Sequence, residues 1–374
     1  MSYPQPKREE LFTPVRLGAL SMRHRVAMAP MTRRRADQNG VPSSLAATYY
    51  SQRGSSPGTL LITEATSIAE RATGHPGAPG IWTESQINGW KEVTNAVHAK
   101  GSFIFCQLWA LGRVARREVL PSQYDVVSSG DIQFGTLIKP RPLTAREIDE
   151  YVELWAQASR NAILAGFDGV EIHSANGYLL DQFLQTTSNN RTDEYGGSAE
   201  NRIRFPLRVA RAIVEAIGAD RVGIRLSPYE RFQGMYMEGD ELQSTFSTLI
   251  RTLSELNLAY LHMTEPRISG LLAGQEAPGL PETLDWATRI WEVTNHPVIL
   301  AGGYTPELAE SRVAEGKKRG EEVIIAFGRP YISNPDLPER IRNGVSFAPF
   351  HRATLGAQGV SPEHGYTDYP FSSK

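Results

Sequence analysis

Eight short apolar runs, rich in Val, Ile and Leu and each too brief for a helix, recur along the chain. They are RVAMAPMT (25–32), TLLITEATS (59–67), SFIFCQLWA (102–110), GVEIHSAN (169–176), RVGIRLSP (221–228), AYLHMTEP (259–266), PVILAGGY (297–304) and EVIIAFGRP (322–330). Continuous rather than alternating apolarity is the mark of a parallel strand covered on both faces. Between the runs the apolar residues fall three or four apart, as in Ile148, Tyr151, Val152, Trp155, Ala158 and Ala162, which predicts amphipathic helices. Further helices are expected over 45–53, 84–99, 199–217, 241–256, 283–294 and 306–318, with Ser198 as an N-cap.

Eight strand–helix units predict an α/β fold, a TIM (β/α)8 barrel, as a single domain over 1–374. An open dinucleotide-binding sheet loses its main support because no G-x-G-x-x-G follows the first run. Two pieces lie outside the repeat. VRLGALSMRHR (15–25) has a Gly-Ala-Leu-Ser break between half-polar runs and reads as a hairpin plugging the bottom of the barrel. Residues 111–143, rich in Arg, Ser and Pro, read as an inserted capping segment over the active-site mouth after the third strand.

Composition narrows the function classes. With 39 basic and 41 acidic side chains the net charge is -2, so no electrostatic footprint for nucleic acid or an anionic membrane is present. No apolar stretch approaches the ~18 residues that span a bilayer. Cys106 is the lone cysteine, and MSYPQPKREELF has no apolar signal core, so a cytoplasmic protein is expected. A small-molecule substrate is expected, with no metal; a homodimer is allowed rather than required.

Barrel active sites form where strands end at the C-terminal face. The polar residues there are Thr32 and Arg33 after Pro30-Met31, then Gln107 and Trp109, then His173, Asn176 and Tyr178, then Arg225. His173 and Asn176 are three apart, so they converge only if the chain turns just after the histidine, which Gly177 permits. Two such donors aimed at one point could hold an oxygen that gains negative charge. Tyr178 then serves as a general acid. The plain alternative makes His173 a satisfied interior histidine and Tyr178 core. Gly302-Gly303 and Gly328-Arg329 end the last two runs, where barrels commonly bind phosphate. Arg225 must be paired or face a ligand; Glu64 and Glu171 read as ion-paired structural residues, and His262 as a core histidine.

These residues lie in recognisable blocks. EIHSANGYLLDQFLQTTSNNRTDEYGGSAENRIRF, with APMTR, ITEAT, FCQLWALGR, RLSP, AGGY and FGRPYISNPDLPER in order, resembles the old yellow enzyme family of FMN-dependent ene-reductases. QRGSSPGTLLITEAT resembles its fungal branch, which includes ergot-alkaloid-type members. The resemblance implies FMN as cofactor and NADPH as reductant. It implies that Pro30, Met31, Thr32 and Ala65 border the flavin, that Gln107 bonds its pyrimidine edge and that Arg225 lies near its reduced charge. Gly302, Gly303, Gly328 and Arg329 would hold the phosphate. His173 and Asn176 would grip the carbonyl of an enone or enal, Tyr178 would protonate its α-carbon, and Trp109 would join the substrate wall. The family's aromatic pair before GYTDYPF is missing here, and Ala326 stands where glycine is common near the phosphate. Competing readings are a pathway flavoenzyme giving net isomerisation, a flavin binder without catalysis, and a flavin-free glycoside hydrolase using Glu64, Glu171 or Glu265.

Overall fold

A computed structural model describes residues 8–237, 239–266, 283–356 and 361–372. The apolar runs form eight parallel strands: β1 (Val26–Met28), β2 (Leu60–Ile62), β3 (Phe103–Trp109), β4 (Gly169–Ser174), β5 (Val222–Leu226), β6 (Tyr260–Thr264), β7 (Val298–Ala301) and β8 (Val323–Phe327). Each pairs in parallel with the next, and β8 pairs with β1, so the sheet closes on itself. Closure leaves no strand edge and puts both faces under cover.

The predicted helices form the outer ring. Two begin with capping boxes, Thr83 before Glu84–His98 and Thr144 before Ala145–Leu164, each threonine side chain accepting a backbone N–H three residues on. Such a box satisfies two otherwise orphaned N–H groups. Ser198 caps as expected, but the helix it opens breaks into Ala199–Arg202 and Arg204–Ile217 around Ile203.

Val15–Leu17 and Leu20–Met22 pair antiparallel. Val15, Leu17 and Met22 join Leu60, Phe105, Tyr260 and Ile299 in the apolar cluster inside the barrel. Gly18 makes the hairpin turn at φ +54°, and a Cβ there would stand 1.9 Å from the Asp220 carbonyl oxygen. Because Asp220 and neighbouring Ala259 precede β5 and β6, the hairpin plugs the N-terminal end. Gly18→Val is therefore expected to cost roughly 2–4 kcal/mol, a left-handed backbone and an overpacked contact together, read as a lower urea midpoint.

The insertion after β3 packs on the barrel wall through its apolar residues. Leu111, Ala115, Leu120 and Val126 pack on Ala65 and Trp109, with Tyr178 against them. Their apolar side chains reinforce the wall from behind.

Candidate active site

Side chains two apart on a strand share a face. Glu171 and His173 on β4 both point inward, and the parallel register sets Gln107 beside Glu171 and places His173, Arg225 and His262 abreast on β4, β5 and β6. The lower interior is apolar and the upper interior is polar. Glu171, fully buried, accepts from Gln107 Nε2 at 2.8 Å, His262 Nδ1 at 2.7 Å and Tyr260 Oη at 3.1 Å. Burial works to raise its pKa, yet the neighbouring His262, Arg225 and Gln107 hold it below the usual carboxylate value. Burial keeps His262 neutral, so Arg225 supplies the balancing positive charge. Glu171 is thus the structural, charge-paired residue the sequence suggested. Glu64 accepts instead from the backbone N–H groups of Arg33 and Arg34 at 2.9 and 3.0 Å, fixing the segment after β1.

The chain does turn after His173. β4 stops at Ser174, and Asn176 and Gly177 both take left-handed backbone, φ +56° and +78°. Ser227 Oγ accepts the Asn176 N–H at 2.7 Å, and Glu230 accepts from its side-chain Nδ2 at 3.4 Å. The bond sets the nitrogen end of the amide toward Glu230. The Tyr178 ring stands edge-on to Trp109 and to His173, with centroids 4.8 and 4.9 Å apart.

One cavity of about 700 Å³ opens at this end, a size typical of cofactor and ligand sites. His173, Asn176, Tyr178, Arg225 and Gln107 line it together with Pro30, Met31 and Thr32; Gly302, Gly303, Gly328 and Arg329 line it too. Trp109 and Ala65 do not. Both are buried in the cluster behind Tyr178, where the Trp109 ring stands against the phenol. Sequence reading missed Glu230 and Phe232 after β5, and Phe347, Phe350, Arg352 and Leu355 from the C-terminal segment. The two phenylalanines supply an aromatic wall from well before GYTDYPF. The aromatic residues of VSFAPF were the available signal, but nothing local says that they fold back over a barrel.

Electrostatics favour neutral donors at the clamp. Burial, with Arg225 and His262 nearby, holds His173 well below the ordinary imidazole value, so it is uncharged at neutral pH. Burial pushes the Tyr178 phenol up to about 12, against hydrogen bonding from Gln233 and the charge of Arg225. The phenol therefore keeps its proton.

A flavin mononucleotide fits these residues. His173 Nδ1 and Arg225 Nε are buried with no hydrogen-bond partner among the described residues, as groups awaiting a ligand are. Gly302 and Gly303 adopt φ +124° and +62°, and a Cβ on Gly328 would come 2.8 Å from Met31 Sδ. Backbone can approach an anion closely there, with Arg329 beside it.

A closed parallel barrel with a glycine–arginine cradle, a buried guanidinium and neutral donors at one mouth defines a flavin oxidoreductase. The chain belongs to the NADH:flavin oxidoreductase / NADH oxidase family, whose pattern it matches over residues 10–347, and within it to the fungal old yellow enzymes. It is 49% identical to chanoclavine-I aldehyde reductase of Penicillium roqueforti, over 98% of this chain and 97% of that one. It is 48% identical to an NADP-dependent oxidoreductase of Aspergillus flavus, over 98% and 97%. The old yellow enzyme homologue of Zymomonas mobilis superposes with a TM-score of 0.87 at 36% identity, over 96% and 99%. The protein is an FMN-dependent, NAD(P)H-driven ene-reductase. Among the described residues no helix is long and apolar enough to cross a membrane.

Proposed function

We infer that this site reduces the activated C=C bond of α,β-unsaturated aldehydes or ketones, with His173 and Asn176 holding the carbonyl oxygen and Tyr178 protonating the α-carbon. The observation that carries this reading is the convergence of the three side chains on one cavity through two successive left-handed residues. FMN, when bound, supplies the hydride carrier between nicotinamide and the substrate's β-carbon. Pro30, Met31, Thr32 and Gln107 would border its ring system and Gly302, Gly303, Gly328 and Arg329 its phosphate. The Gln107 side-chain nitrogen is committed to Glu171, which fixes the rotamer of that amide before any ligand enters.

The clamp acts through hydrogen bonds that strengthen as the oxygen gains negative charge. Arg225 stands in register beside His173, where its positive charge would face the negative charge of the reduced flavin while the imidazole stays neutral. Phe232, Phe347 and Phe350 give the cavity an apolar wall. NADPH is the preferred reductant in this reading, supported by the name of the Aspergillus flavus relative. A single domain over 1–374 acting in a reducing cytosol completes it; light scattering decides whether it forms a homodimer.

Phenol titration tests the clamp, because a phenolate oxygen imitates the charged carbonyl oxygen. His173→Ala and Asn176→Ala each remove one hydrogen bond to a charged acceptor, worth ~1.5–3 kcal/mol. Each is expected to raise the dissociation constant roughly 10- to 150-fold. Parent-like titration by both variants overturns the assignment.

A further inference from the structure

ANGYLLDQFLQ (175–185) carries a carboxyl that the reaction above leaves unused. Asp181 is fully buried in the short helix Leu179–Leu184. Its Oδ2 accepts the Gly177 N–H at 2.8 Å, and its Oδ1 accepts from Gln185 Nε2 at 3.2 Å. Both partners are neutral. The charged groups facing it are Arg113, from the turn Gly112–Val114, and Glu230, from the loop after β5. From neighbouring elements, His173 stands on β4, and Arg202 is bonded to the Leu184 carbonyl at 2.9 Å.

Two consecutive left-handed residues, one of them not glycine, persist only where surrounding contacts hold them. Three side chains hold the backbone of this turn. Ser227 takes the Asn176 N–H, Gln182 Nε2 donates to the Gly177 carbonyl at 2.8 Å, and Asp181 takes the Gly177 N–H. Of these three only Asp181 carries an ionisable group; Glu230 bonds the Asn176 side chain and not the turn's backbone. We propose that Asp181 is a positioning residue for Tyr178: its ionised carboxylate tightens the Asn176–Gly177 turn that aims the phenol, and its protonation loosens that turn. This rests on the reading of Tyr178 as proton donor.

The neutral state also has a place. Gln185 Oε1 is buried with no hydrogen-bond partner among the described residues. Turned over, that amide would accept a hydrogen bond from the O–H of the carboxylic acid, leaving a neutral and weaker acceptor for Gly177. Burial, against the bonds from Gly177 and Gln185, pushes the carboxyl up to about 7. Tyr178, at about 12, and His173, well below 6.5, both titrate elsewhere.

The test follows flavin reoxidation in holoenzyme by an enone and by dioxygen between pH 6 and 8, in the parent, Asp181→Asn and Tyr178→Phe. The parent's enone rate is expected to rise about five- to tenfold with pH, the difference between a neutral and a charge-assisted bond. Asp181→Asn should stay at the low-pH rate throughout, and dioxygen reoxidation should be alike in both. In a Tyr178→Phe background, Asp181→Asn should add nothing.

Thermal melting gives a second readout. A carboxyl raised in the folded state contributes stability below its unfolded value of 3.8 that is lost as pH rises to about 7. Asparagine has no such loss. The melting advantage of Asp181→Asn should therefore widen from pH 4 to 7 and then level. A flat parent profile, or equal slowing of enone and dioxygen reoxidation by Asp181→Asn, overturns the proposal while leaving Tyr178 in place. Unslowed enone reoxidation in Tyr178→Phe removes both.

Discussion

Tyr178→Phe is expected to leave flavin reduction by NADPH near the parent rate and to slow reoxidation by an enone by roughly 10²- to 10⁴-fold, the usual contribution of a positioned general acid. The substitution keeps the ring. Its edge-on contacts with Trp109 and His173 are made by the ring and survive. The hydroxyl is lost, and with it the proton delivered to carbon and the hydrogen bond from Gln233. Reduction by nicotinamide needs no such proton, and neither does reoxidation by dioxygen, so both serve as internal controls. With the phenol pushed up to about 12, it holds its proton across the neutral range in which the rates are compared. Stopped-flow measurement of the two half-reactions in parent and variant decides the matter, and equal enone rates would return Tyr178 to a packing role.

Glu171→Leu is expected to be the most destabilising change in the barrel interior. Leucine fills similar space but leaves the donors of Gln107, Tyr260 and His262 without their acceptor, and it leaves the Arg225 charge unbalanced. Breaking a buried charge pair on one side costs about 3–5 kcal/mol. Glu171→Gln, which keeps one acceptor oxygen, should lose less. The sign with pH follows from the depressed carboxyl of the folded protein. Its contribution is present above the unfolded value of 4.5 and is lost as pH falls through the lower folded value. The parent's advantage over Glu171→Leu should therefore shrink in acid, and urea unfolding at pH 7 and below pH 4 measures it. A variant that unfolds at the parent's midpoint would show that the network contributes no net stability.

The architecture was legible because its signals are local. Each strand announced itself as an apolar run, and each helix by spacing and caps such as Thr83, Thr144 and Ser198. His173, Asn176 and Tyr178 were legible because all three lie within six consecutive residues. A turn over so short a span is governed by local backbone rules, and Gly177 marked it. The packing of Trp109 was not legible. The residue sits at a strand end, but which neighbours take its ring depends on a segment that packs against it from residues 111–126.

By itself the sequence determined the strand and helix order, the closed barrel, and the cluster of donors at the end of the fourth strand, since periodicity and turn chemistry act over a few residues. Tertiary structure alone decided which distant side chains share the cavity. Phe347 and Phe350 reach the mouth from beyond the last strand, and Glu171 finds Gln107, Tyr260 and His262 across three strands through parallel register. Register and long-range closure depend on packing of the whole barrel. A fully buried carboxylate such as Asp181 shows its meaning only when the neutral N–H groups around it are known, because burial and its partners, not its place in the sequence, set its charge.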